Sequence, residues 1–291
     1  MQLAWKVPAG SNIKLQDYDP GYVDEHTDPA LARAELQQLG AELSELQELL
    51  AAAHYHSLLV VLQGMDASGK ADVTREVMSH VNPQGCEVRS FKVPTPRELD
   101  HDFLWRVHRV TPGKGIIGIF NRSHYEDVLV VRVHNLVPEK VWSQRYAAIN
   151  NFEHLLAQSN MIILKFYLYM SSEEQERRLL ARQQDKEDAW KLTAADWEER
   201  KYWDAYQEAY EEALSKCSTD EAPWYIVPAN NKWYRNLLMA RTLVYTLRQY
   251  KEEWLNRLVE RGERELARIE QIQQAAEFAD GRNRKPARAK K

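Results

Sequence analysis

The segment Gly64-Met65-Asp66-Ala67-Ser68-Gly69-Lys70 satisfies the pattern G-x-x-x-x-G-K, and its surroundings restrict how the chain can fold. It follows directly on Ser57–Gln63 (SLLVVLQ), a short run that reads as a buried strand, and precedes Ala71–His80, which suits a helix. In that setting the glycines let backbone N–H groups turn inward around phosphate oxygens. The helix N-terminus adds its positive end, and Lys70 adds a full charge. Gly64, Ala67, Ser68, Gly69 and Lys70 are therefore candidate phosphate-binding residues; the alternative is a plain strand–helix turn. Ala71 stands where Ser or Thr ordinarily follows the lysine and ligates Mg²⁺. A metal at this loop must then be held by carboxylates. Asp66 is the first candidate, because an anion inside a phosphate cradle repels phosphate unless a cation lies between them or it takes up a proton. A loop-capping role is the competing reading of Asp66.

The pattern of strand then helix repeats along the chain. Cys86–Phe91 reads as a weak strand, and Arg97–Arg109 as a helix after Pro96. Gly115–Phe120 is a strong strand and Pro138–Ser159 a helix. Met161–Met170 is a further strand, followed by Ser171–Arg182, with Ser172 and Gln175 as its capping signal. Ala194–Leu214 reads as a helix, Trp224–Pro228 as a last strand, and Asn230–Ile272 as mainly helix. Before the loop, Leu36, Leu39, Leu43, Leu46 and Leu50 step along one face of a helix over Leu31–Ala53. Alternating strands and helices predict an α/β fold with a mostly parallel sheet covered on both sides. The expected organisation is an extended arm over residues 1–30, one domain over 31–276 and a disordered basic tail over 277–291.

Composition excludes several classes. Of 291 residues 44% are hydrophobic and 28% charged, which is ordinary globular usage rather than that of a disordered or collagen-like chain. Cys86 and Cys217 are the only cysteines, so neither a disulfide framework nor a zinc knuckle is expected. The apolar runs Leu58–Leu62 and Ile116–Phe120 are too short to span a membrane, and the polar start predicts no secretion signal. A cytoplasmic protein is expected. Gly281–Lys291 carries +6 of a chain whose net charge is −4, leaving about −10 on the rest. An acidic body argues against a nucleic-acid-binding domain. The tail reads as a solvated end or an accessory polyanion contact.

A second polar cluster, Asn121-Arg122-Ser123-His124-Tyr125-Glu126-Asp127, leaves the strong strand at its carboxyl end, where open parallel sheets bind ligands. Glu126 and Asp127 can supply the missing metal oxygens. Arg122 can clasp a phosphate oxygen pair with its planar fork. A polar turn with a surface salt bridge is the bland alternative. Arg177, Arg178 and Arg182 lie on the helix after the fourth major strand, and Arg178 and Arg182 share a face. They can form a lid that neutralises phosphoryl charge, although Glu173, Glu174 and Glu176 also permit a solvated mixed-charge face. Trp197, Trp203, Tyr206 and Tyr210 have the spacing of core or subunit packing. The histidines show no metal spacing, and no serine-hydrolase elbow is present.

Together, LQGMDASGK (62–70), FKVPTP (91–96), HDFLWRVH (101–108), IFNRSHYEDVLVVRVH (119–134), EEQERRLLAR (173–182) and APWYIVPANNKWYRN (222–236) make the chain resemble the polyphosphate kinase 2 family over roughly residues 10–255. The resemblance implies a P-loop kinase fold related to thymidylate kinases, with a helical lid at about 171–200. It implies reversible phosphoryl transfer between inorganic polyphosphate and purine nucleotides, with Mg²⁺ as the cofactor and Mn²⁺ as a substitute. Carried over by position, Asp66, Lys70, Arg122, Asp127 and Arg182 are catalytic, with Arg178 beside Arg182 on the phosphates. Asp66, Asn121, Arg122, Glu126 and Asp127 face the nucleotide, and Asp66 and Asp127 hold the metal. The Asn-Arg-Ser-His-Tyr-Glu-Asp form resembles the subgroup that acts on AMP as well as ADP. Relatives are commonly oligomeric, so a dimer or tetramer is implied. Ala71-Asp72-Val73 departs from the family, which usually carries glycine at one or two of these positions, and Asp72 adds a negative charge near the phosphates. The rival readings are an ATP-dependent nucleotide kinase on the same fold and a non-catalytic polyanion-binding protein.

Overall fold

Strands that must be buried on both faces are built from continuous apolar runs, and the run at Ser57–Gln63 is buried at all seven positions. The computed structural model describes residues 2–185 and 192–283, with side chains through 276. In chain order its strands are β1 (Trp5–Lys6), β2 (Ser57–Gln63), β3 (Cys86–Ser90), β4 (Ile117–Asn121), β5 (Met161–Tyr169) and β6 (Trp224–Pro228). Its helices begin with α1 (Pro29–Ala53), α2 (Lys70–Val77), α3 (Pro96–Leu99), α4 (Trp105–His108), α5 (Val130–Val133) and α6 (Glu139–Gln158). They continue with α7 (Ser172–Gln184), α8 (Ala194–Glu199), α9 (Trp203–Cys217), α10 (Lys232–Arg248) and α11 (Lys251–Asn283).

The sheet order is β1-β6-β5-β2-β4-β3, parallel throughout except for β1, which pairs antiparallel with β6. Leu50, Leu58, Val60, Leu62, Leu237 and Trp254 belong to the core on the face covered by α1, α10 and α11. Leu59, Val61, Phe120, Ile149, Phe152 and Tyr210 belong to the core on the face covered by α6 and α9. After β2 the chain builds β3 and β4 to one side, then crosses to β5 and β6 on the other. The crevice beyond the carboxyl end of β2 is thus the topological switch point, where α/β sheets bind ligands.

The α/β reading agrees with this architecture, and the structure refines several elements. The arm contributes β1, since Val7 donates to the Trp224 carbonyl at 2.9 Å and the Trp5 ring packs on Tyr18 and Tyr22. The helix expected over Arg97–Arg109 is two short ones, because Asp102 Oδ1 accepts from the amides of Leu104 and Trp105 and restarts the backbone there. The α7 cap is Ser171, which accepts from Glu174, rather than Ser172. The helix over Ala194–Leu214 is interrupted by a 3₁₀ turn at Arg200–Tyr202. The one expected over Asn230–Ile272 divides into α10 and α11, and α11 runs past 277 to Asn283. Residues 186–191 of the expected lid and 284–291 of the basic tail lie outside the described residues. Among the described residues no helix is long and apolar enough to cross a membrane.

Candidate active site

The loop from β2 to α2 has the backbone that a cradle needs. Gly64, Ala67 and Gly69 all have positive φ, at 151°, 65° and 96°. A Cβ at Gly69 would lie 1.9 Å from Arg235 Nη1, so both the conformation and the close approach require glycine there. Lys70 is buried and donates to the carbonyls of Gly64 at 2.6 Å and Met65 at 3.2 Å. Burial pulls its ammonium down to about 8, with Asp66 opposing and Arg122 adding to the fall. Ser68 Oγ is buried with no protein partner.

Two buried arginines hold the loop from behind. Arg178 donates to the carbonyls of Ala67 (3.0 Å), Ser68 (3.3 Å), Ala229 (2.5 Å) and Asn230 (2.9 Å), and through Nε to Glu174 (2.7 Å). Arg235 donates Nη1 to the Ser68 carbonyl at 2.8 Å and its other nitrogens to Asn236 Oδ1. Burial pulls the Arg235 guanidinium down to about 10. Carbonyls drawn toward these guanidiniums leave the opposite side of the peptides, the N–H side, for a ligand. Arg178, read from the sequence as a phosphate contact, therefore has its fork committed to main chain. Arg182, one turn on, is half-buried and makes no hydrogen bond or ion pair among the described residues. Arg177 pairs with Glu174 at the surface.

The second cluster meets the first through sheet register. Leu62 of β2 lies opposite Asn121 of β4, so Arg122 leaves its strand beside the loop, with φ of 61° and its amide on the Leu62 carbonyl at 3.1 Å. Its guanidinium bridges Asp66 Oδ1 at 2.7 Å and Glu126 Oε2 at 3.3 Å. Burial opposes this charge, but Glu126 and Asp66 outweigh it and hold Arg122 above its ordinary value. Gln63 Nε2 donates to Ser123 Oγ and Glu126 Oε1, each at 3.1 Å, and leaves its own Oε1 buried without a partner. Asp66, Arg122 and Glu126 line a pocket of about 370 Å³ together with Val93, Tyr206 and Tyr210.

Asp127 is oriented differently. Only 8% exposed, it accepts from Arg145 Nη1 at 2.8 Å. Burial pushes its carboxyl up to about 6, against Arg145 and Arg106. The acid facing the pocket with Asp66 is Glu126. Beneath this turn lies a fully buried ionic network. Lys165 Nζ donates to Glu153 Oε2 (2.5 Å), Tyr125 Oη (2.8 Å) and the Cys217 carbonyl (2.6 Å). Glu153 Oε1 also meets Tyr125 Oη at 2.9 Å and His124 Nε2 at 3.0 Å. Sequence reading did not single out Arg145, Glu153, Lys165 or Arg235. Arg235 alone carried a signal, lying in the polar segment just after the last strand.

The polyphosphate kinase 2 family model matches residues 26–254. The AMP/ADP-polyphosphate phosphotransferase of Meiothermus ruber is 50% identical over 244 residues, covering 84% of this chain and 91% of that protein. The ADP-polyphosphate phosphotransferase of Rhodopseudomonas palustris is 42% identical over 263 residues, covering 85% of this chain and 90% of the relative. A crystal structure of polyphosphate kinase 2 from Arthrobacter aurescens superposes with a TM-score of 0.81 at 40% identity, over 85% of this chain and 90% of that one.

Proposed function

Because the chain belongs to the polyphosphate kinase 2 family, we propose that it moves a phosphoryl group between inorganic polyphosphate and AMP or ADP at the β2 switch point. It is a phosphotransferase with a P-loop kinase fold. The observation that carries the assignment of the site is the Asp66–Arg122–Glu126 bridge against the Gly64–Lys70 loop. It joins the cradle for one phosphate chain to a pocket for the other substrate. The polyphosphate end lies against Gly64, Ala67, Ser68, Gly69 and Lys70, with Arg182 above. The nucleotide's terminal phosphate faces Arg122, between Asp66 and Glu126, beside Asn121. Arg178 and Arg235 act through the loop carbonyls that they hold.

The reaction is an in-line displacement. An ionised phosphate oxygen of the nucleotide attacks the terminal phosphorus of the chain, one P–O bond forms, and the bond to the shortened polyphosphate breaks. The attacking oxygen is already ionised near neutral pH, so the protein's task is positioning and charge neutralisation, for which Lys70, Arg122 and Arg182 supply cations. Asp66 orients Arg122 through its 2.7 Å ion pair.

The donor set fits a hydrated divalent cation. Asp66 and Glu126 offer carboxylate oxygens to one pocket, and the side-chain oxygen Oε1 of Gln63, whose Nε2 donates to Glu126, has no partner. Mg²⁺ uses one or two carboxylates and keeps several waters, which this pair can provide for. We assign it to Asp66 and Glu126, with Mn²⁺ as a substitute. Asp127 belongs to the same carboxylate turn and holds Arg145. When bound, the ion neutralises charge on the phosphoryl oxygens. The same reading puts the protein in the cytoplasm as a dimer or tetramer, and the exposed Val259, Leu266, Ile269 and Ile272 of α11 offer apolar surface for an interface. Sedimentation checks the oligomer.

The test is a matrix of AMP, ADP, GMP and GDP with polyphosphate and Mg²⁺ but no ATP, with products resolved by chromatography. ATP from ADP, and ADP from AMP, are expected. Turnover that demands added ATP would replace this reading with an ATP-dependent kinase. Binding of polyphosphate without turnover would replace it with a polyanion binder.

A further inference from the structure

Three cations, Lys70, Arg182 and Lys232, stand near the phosphate loop. Arg178, which grips the Ala67 carbonyl of the loop, also reaches the Asn230 carbonyl, two residues before Lys232, the first residue of α10, and Arg182 lies one helical turn beyond Arg178 on α7. The charge of Arg182 acts on both Lys70 and Lys232 across this cluster. The neighbouring guanidiniums of Arg178 and Arg235 are spent on the Ala67 and Ser68 carbonyls. Lys232 is exposed, and neither it nor Arg182 makes a hydrogen bond or ion pair among the described residues. The ammonium of Lys232 is nonetheless crowded. Partial desolvation, then Arg178, with Arg235 and Arg182 adding less, hold it below its ordinary value. Asp72, in the first turn of α2, opposes them there. Asp72 also acts on Arg178 and Arg235, and its own ion pair, to Arg75, is a loose 3.6 Å.

We propose that Arg182 and Lys232 bind the phosphates of polyphosphate next beyond those held by the loop, and that Asp72 sets how tightly this outer subsite holds the chain. The inference rests on the polyphosphate reading of the site. A linear polyanion whose end lies in the loop continues past its rim, and with Arg178 and Arg235 committed to carbonyls, Arg182 and Lys232 are the cations of this cluster with free N–H groups among the described residues. Asp72 projects a negative charge into the same cluster. It is the departure in the loop sequence that the reaction itself leaves unexplained. As an acid in the first turn of a helix it also has a structural use, favouring the helix dipole. That use predicts a change in melting temperature and none in substrate affinity.

The experiment compares wild type, Asp72→Asn, Asp72→Glu and Lys232→Met with ADP and either long-chain polyphosphate or tripolyphosphate. KM and equilibrium binding of each chain are measured at low and high salt. Removing one unscreened charge beside the chain is expected to lower KM for long-chain polyphosphate about three- to tenfold in Asp72→Asn. Asp72→Glu keeps the wild-type value, and Lys232→Met raises KM by a similar factor. The differences shrink with salt and are much smaller for tripolyphosphate, which does not reach past the loop, while KM for ADP stays with wild type. Unchanged long-chain KM and binding in both Asp72→Asn and Lys232→Met overturn the subsite while leaving the enzyme's assignment intact. A wild-type protein that makes no ATP from ADP and polyphosphate overturns the assignment itself.

Discussion

Replacing Lys165 by Met tests how the catalytic turn is held. Lys165 and Glu153 are 0% and 1% exposed, and the ammonium makes three hydrogen bonds, to Glu153, Tyr125 and the Cys217 carbonyl. Met fills much of the volume but leaves Glu153 as a buried carboxylate with only the His124 and Tyr125 contacts. Removing one partner of a buried pair costs about 3–5 kcal/mol, chiefly through the stranded charge. At about 2–4 °C per kcal/mol for a chain of this order of size, melting falls by roughly 6–20 °C. Lys165→Met with Glu153→Gln removes the stranded charge and keeps a neutral acceptor for His124 and Tyr125. The double variant should therefore recover at least half of the loss, a coupling of about 1.5 kcal/mol or more. The pH dependence has a defined sign. Burial alone would raise the Glu153 carboxyl, but Lys165 and His124 outweigh it and hold it below its ordinary value. The stabilisation is thus complete above the unfolded-state value of about 4.3 and is lost as pH falls through the lower folded-state value. Calorimetric melting of wild type, Lys165→Met, Glu153→Gln and the double variant between neutral and acid pH measures all of this. Additive single losses, or a Lys165→Met protein melting within about 2 °C of wild type, would show that the network does not hold the turn.

The remaining predictions separate roles within the site. Lys70→Ala should lose turnover with either nucleotide by more than about 100-fold while circular dichroism stays native, since its ammonium, held on the Gly64 and Met65 carbonyls, is the full positive charge of the phosphate loop. Arg178→Ala should lower the melting temperature, because the Ala67, Ala229 and Asn230 carbonyls lose their arginine donor while Ser68 keeps only Arg235, whereas Arg182→Ala should leave melting unchanged and reduce kcat. The reverse pattern would exchange their assignments. If ionised Asp127 supports turnover, kcat/KM should fall on the acid side with a midpoint near 6, and Arg145→Gln, which removes a stabilising cation, should move that midpoint upward. A profile unmoved in Arg145→Gln removes Asp127 from the pH dependence. Chelation of divalent ions should stop turnover, and Mg²⁺ or Mn²⁺ should restore it.

Much of this protein is legible locally. SLLVVLQ, the glycines after it and the helix beyond specify a strand, a bend and a helix, because burial on two faces demands an unbroken apolar run and the positive φ of 151° and 96° in the bend favours glycine at positions 64 and 69. The same locality explains the errors. An Asp102 side chain that caps its own backbone divides a helix that apolar spacing alone would continue, and the two-residue β1 exists only because the β6 edge is there to pair with it.

Which acid faces which cation was decided by tertiary structure. The two motifs put Asp66, Arg122, Glu126 and Asp127 at one end of the sheet, but neighbours in sequence point in different directions off a turn. The parallel register of β2 with β4 sets Arg122 between Asp66 and Glu126, and the packing of α6 supplies Arg145 to Asp127. Arg178 likewise shares a helix with Arg182, yet the loop after β2 and the segment after β6 surround it with carbonyls. A motif specifies the backbone conformation of its own residues. The partners of a charged side chain depend on which distant segments reach it, and that is set only when the strands have taken their order.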